Sequence, residues 1–128
     1  MSADINLLAG WLGMLAGVLS GAIIGLYFHQ DSWLGGYGSF SRRLLRLGHI
    51  SFFGLGFINL MYGFTLGQIN IAPAYINTAS ISLIAGAVSM PVCCFLTAWK
   101  KMFVYLFPVP VLAVITGIFL VLAGWPIK

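Results

Sequence analysis

Four stretches of this sequence run for about 20–25 residues without one Asp, Glu, Lys or Arg, long enough to cross the hydrocarbon core of a bilayer. They extend approximately over Ile5–Phe28, Leu47–Leu66, Ala74–Ala98 and Met102–Trp125. In hydrocarbon every backbone N–H and C=O needs a partner within the protein, so only helices and closed barrels can span. A barrel strand alternates apolar and polar residues over about ten positions. These segments are continuously apolar, which predicts helices. Composition points the same way: 61% of residues are hydrophobic and 6% charged, against about 25% charged in soluble domains. The expectation is an all-α membrane protein, one domain over residues 1–128, with four transmembrane helices in an antiparallel bundle.

Charge placement sets the expected orientation. Arg42, Arg43 and Arg46 fall between spans one and two, and Lys100 and Lys101 between spans three and four. The middle connection is uncharged, and the ends contribute only Asp4 and Lys128. Basic residues mark the cytoplasmic side, so both termini are predicted outside the cytoplasm and the chain is assigned to the plasma (inner) membrane. The formal charge of +4 thus reads as a topology signal. Nucleic acid is not an expected partner, because no basic cluster extends beyond the short loops. Span one lacks a basic leader and a convincing small-residue cleavage site, so it is expected to stay in the mature chain.

The first connection, residues 29–41, interleaves aromatics with glycine. Trp33, Tyr37 and Phe40 are expected at headgroup level, with Gly35, Gly36 and Gly38 allowing a tight path between them. Lys100 and Lys101 reverse the chain within a few residues.

Each span carries small residues at helical spacing. In span one Gly13, Gly17, Gly21 and Gly25 form an unbroken G-x-x-x-G series. Gly56 and Gly63 in span two, Gly86 in span three and Gly117 in span four extend the pattern. Such stripes let helix backbones approach closely. They serve packing within the chain or against a partner, either another membrane subunit or a second copy, and the sequence leaves both open. Pro91 falls inside span three, and Pro108 and Pro110 inside span four, where each is expected to bend its helix.

With no carboxylate inside any span, a proton-coupled carrier lacks its usual relay and paired acid–base catalysis lacks its residues. The chain is therefore not expected to be an enzyme. His49 is the most suggestive polar residue, on the same helix face as Phe53, Gly56, Leu60 and Gly63 and near Asn59. An intramembrane histidine serves as hydrogen-bond partner, proton relay or ligand. With His29 it could hold haem b; with Met90 and Cys93, at similar depth, Cu(I). Cys93 and Cys94 are adjacent, which argues against a disulfide between them. Asn59, Tyr62, Asn77, Ser80, Ser82, Ser89 and Thr116 could line a polar path or bond between helices.

The expected function is a non-catalytic accessory or structural subunit of a larger membrane complex, such as an energy-converting assembly, with no cofactor. The alternatives are a small oligomeric channel or carrier, and a haem b or copper protein using His49.

Overall fold

A computed structural model describes residues 3–126; Lys128, part of the charge argument, lies outside them. The described residues are all-helical, with four helices long and apolar enough to cross a membrane. They are α1 (Ala3–Leu26), α2 (Phe40–Gln68), α3 (Pro73–Trp99) and a fourth span, Lys101–Ala123, in which a 3-10 segment (Lys101–Leu106) leads into α4 (Pro108–Ala123).

The helix limits correct two expectations. Span two begins at Phe40, seven residues before the apolar run, because Ser39 caps it: its Oγ accepts from the Arg42 N–H at 3.2 Å. Arg42, Arg43 and Arg46 therefore stand on the first turns of α2, not in a loop. In span four the prolines do not bend a helix. Pro108 is the first residue of α4 and Pro110 the third, where a missing N–H removes no intrahelical bond. They mark the change from 3-10 to α geometry. The α-helix of span three continues through Pro91, which is fully buried.

In the first connection a short 3-10 turn, Trp33–Gly35, is followed by Gly36, and both Gly35 and Gly36 take positive φ (84° and 93°). Leu34 also does so, at 51°. The Trp33 ring stacks on Tyr27 at 5.1 Å. At the far end of the molecule the Ala72 N–H donates to Gly124 O at 3.1 Å, tying the middle connection to the end of α4.

The helices pack in chain order, α1 on α2, α2 on α3 and α3 on α4. Contact between α1 and α3 is slight, and the backbones of α1 and α4 do not approach each other. Successive contacts run in opposite senses along neighbours. Gly10 lies against Leu60, Gly17 against Phe53 and Gly21 against His49; Gly86 lies against Val114 and Gly117 against Leu83. The apolar core is centred on Tyr62, Ile71, Ala79 and Leu83, closed by Leu120 and Val121 from α4. The outward sides of α1 and α4 are lined by exposed Leu, Ile, Val and Phe, as suits a lipid environment.

Candidate functional site

Three fully buried polar side chains form one cluster across three helices. Asn6 and Asn59 are 0% exposed and Ser80 is 1% exposed. The Asn6 Nδ2 donates to Asn59 Oδ1 at 2.8 Å, and the Ser80 hydroxyl donates to Asn6 Oδ1. Asn59 Nδ2 donates to the carbonyls of Leu55 at 2.9 Å and Leu83 at 3.2 Å. Both amides are thus engaged through oxygen and nitrogen, and α1, α2 and α3 are joined at one level. Tyr62 adds a bond from its hydroxyl to Ile76 O at 2.8 Å, again from α2 to α3.

Sequence reasoning selected Asn59 but missed Asn6. A polar residue at the start of an apolar span reads as an interface residue. The available signal was its position four residues before Gly10, on the face that Gly10, Gly17 and Gly21 continue. Those glycines are the reason the cluster closes. A Cβ on Gly10 would stand 2.5 Å from Leu60 Cγ and 2.8 Å from Gly56 O; one on Gly13 would stand 3.2 Å from Gly56 Cα. Close backbone approach brings short polar side chains into reach of each other.

The stripe seated on α2 is therefore Gly10, Gly13, Gly17 and Gly21, with Gly56 and Gly63 opposite. An added Cβ on Gly63 would meet the Leu7 side chain and, at 3.1 Å, Ala3 O. Gly25 departs from the expected series: nothing lies within 4 Å of a Cβ built there. Residues four apart advance about 40° beyond a full turn, so Gly25 lies about 120° around the helix from Gly13.

Nearly three turns along α2 from Asn59, His49 is half-buried between α1 and α2. Its ring covers Gly21, meets Phe53 edge-on at 5.3 Å and has Nδ1 3.2 Å from Ser20 Oγ. The Ser20 hydroxyl also faces Gly17 O at 3.1 Å. With the hydroxyl directed at that carbonyl, Nδ1–H is the donor to Oγ. His49→Ala is expected to cost about 1–2 kcal/mol through the lost bond and the void over Gly21. A thermal unfolding series in detergent checks this; an unchanged midpoint would remove His49 from the packing account.

The side chains that meet His49, Phe53 and Ser20, are not among the other ligand candidates. His29 is exposed in the turn after α1. Cys93 faces the 3-10 segment before α4, its Sγ 3.9 Å from Leu106 O. Cys94, not Cys93, faces α2: its Cβ lies 3.1 Å from the position of a Cβ on Gly48, the residue before His49. The two cysteines diverge because adjacent helical positions point about 100° apart. Met90 is half-buried on α3. Among the described residues no three His, Cys, Asp or Glu side chains gather as a metal site.

Of the remaining polar inventory, Ser89 bonds to its own helix at Ala85 O, 2.6 Å away. Thr97, a further buried hydroxyl, does the same at Cys93 O, 2.7 Å away. No protein-family model, curated protein or solved structure matches this chain.

Proposed function

We propose that the chain is a non-catalytic structural subunit of a larger membrane complex, an antiparallel bundle with both termini on the non-cytoplasmic side of the plasma membrane. The observation that carries this reading is how the buried polar groups are used. Asn6, Asn59, Ser80 and Tyr62 direct their hydrogen bonds to neighbouring helices. They hold the helices in place instead of presenting a converging set of donors to a solute. The Arg42–Arg46 turns and Lys100–Lys101 occupy one end of the structure, since Ser41 Oγ donates to Ala98 O at 3.0 Å there. Under the positive-inside rule that end is cytoplasmic.

A structural subunit of this size contributes through its outer faces. The open groove of about 340 Å³ across α2 is apolar: Ala9, Gly13 and Ala16 of α1 and Ala87 of α3 form its shallow places, between the larger Leu12, Phe52, Ile84, Val88 and Val92, and small residues of this kind let a further helix approach. We assign it to a transmembrane helix of a partner subunit.

The test is native mass spectrometry of the tagged chain after mild detergent extraction from its own host. Co-release of specific membrane subunits is expected, with release weakened by Ala16→Trp. Recovery only as a homo-oligomer that conducts a solute in liposomes would replace this reading with the channel. A bound mass of haem or copper, lost in His49→Ala, would replace it with the cofactor protein.

A further inference from the structure

We propose that the cationic end of the chain binds one anionic phospholipid, its phosphate at Arg46 and an acyl chain in the cavity beneath Trp33. Arg42 and Arg46 stand one turn apart on α2 and so share a face. Arg42 is 2% exposed. Its Nη2 donates to the backbone carbonyls of Gln30 at 2.6 Å and, more weakly, Tyr27 at 3.5 Å, while its Nε has no partner. Arg46 is half-buried, lies over the Tyr37 ring at 4.3 Å and leaves its Nη1 buried and unbonded. A desolvated guanidinium without a compensating anion is costly.

The chain holds few anions of its own to supply that charge. Its two carboxylates are Asp4, in the first turn of α1 at the opposite end, and Asp31, exposed in the connection. Lys101 lies over the Phe40 ring at 5.5 Å, which adds the lysines to the same end. Five of the six Lys and Arg residues, Arg42, Arg43, Arg46, Lys100 and Lys101, therefore gather where a leaflet's headgroups would lie.

The shared chemistry is a phosphate anion, free or esterified, and the neighbouring cavity favours the lipid. It measures about 280 Å³ and is walled by Ile23, Ile24, Leu45 and Phe95, with Tyr27 and Trp33 toward the arginine. Arg42 lies over Trp33 at 5.1 Å from the ring centroid, so charge and apolar volume meet at one aromatic pair. A bare phosphate would have no use for the cavity. Arg46 supplies the accessible contact, and Arg42 a second, buried charge one turn away.

The inference needs membrane residence but not the accessory role. The purified chain is titrated with phosphatidylglycerol, phosphatidylcholine and inorganic phosphate, read by native mass spectrometry and by unfolding temperature. Phosphatidylglycerol is expected to persist as a one-to-one adduct and raise the unfolding temperature, and the other two to do neither. Arg46→Gln should weaken that binding about fivefold, the effect of one basic contact. Ile23→Trp, at an exposed position on the cavity rim, should also weaken it.

Equal retention of phosphatidylcholine would overturn the charge recognition, and equal stabilisation by inorganic phosphate would overturn the lipid. Equal losses in Arg46→Gln and Arg43→Gln would show diffuse surface attraction and overturn the site. Should Arg46→Gln not fold, the comparison of lipids on the unaltered chain and the Ile23→Trp variant still decide.

Discussion

Asn59→Leu is expected to lower the stability of the chain by about 2–3 kcal/mol, because it strands several buried polar groups at once. Asn6 Nδ2 loses its acceptor, and Leu83 O loses the donor from α2. Inside a membrane no water reaches these groups, although an unfolded helix can find other partners in the bilayer. That compensation lowers the cost of losing a single interhelical bond to about 0.6 kcal/mol. Ser80→Ala, which removes only the bond to Asn6 Oδ1, should therefore cost less than a third as much. Reversible unfolding in mixed micelles measures both. Equal, small losses in the two variants would mean that the amides act as independent bonds and that the cluster is not a clamp.

The second large effect concerns close approach. Gly10→Leu should destabilise the chain by about 3 kcal/mol or separate α1 from α2 altogether, the upper range for overpacking. Its Cβ would stand 2.8 Å from Gly56 O, and a backbone carbonyl cannot turn aside as a side chain can. The clash also lies one turn from Asn6, so displacement of α1 would pull the amide away from Asn59. Gly25→Leu places the same side chain in open space and should change stability by less than about 0.5 kcal/mol. Cross-linking between cysteines introduced at Leu7 and Gly63, which adjoin in the structure, reports whether the two helices still meet. Similar behaviour of the two leucine variants would locate the packing face elsewhere on α1.

These two pairs of variants also separate what the residues announce from what the fold selects. The glycine series announces a groove, but its strict spacing of four winds around the helix faster than a straight interface can follow. Contact with α2 picks the better-aligned set, adding Gly10 and leaving Gly25 out. Asn59 stands out because it is an amide in the middle of an apolar run. Asn6, equally buried, is hidden by its place in the first turn of α1. His49 was legible as a residue turned into protein, and the structure places its ring over Gly21 beside Ser20. That Cys93 faces Leu106 while the His49 ring lies over Gly21 was not legible, because equal depth on two helices says nothing about which face each presents.

Sequence alone determined the four apolar spans, their lengths and the gathering of basic residues beside the ends of those spans. The physical reason is local: each apolar run must satisfy its own backbone in lipid, and helical hydrogen bonds lie within the run. Tertiary structure decided the extension of α2 back to Ser39, the 3-10 entry into α4, the working glycine face and the Asn6–Asn59–Ser80 cluster. Those features depend on the distance and rotation between helices. Lipid provides no hydrophobic force to set them, so side-chain fit and a few buried hydrogen bonds choose the arrangement.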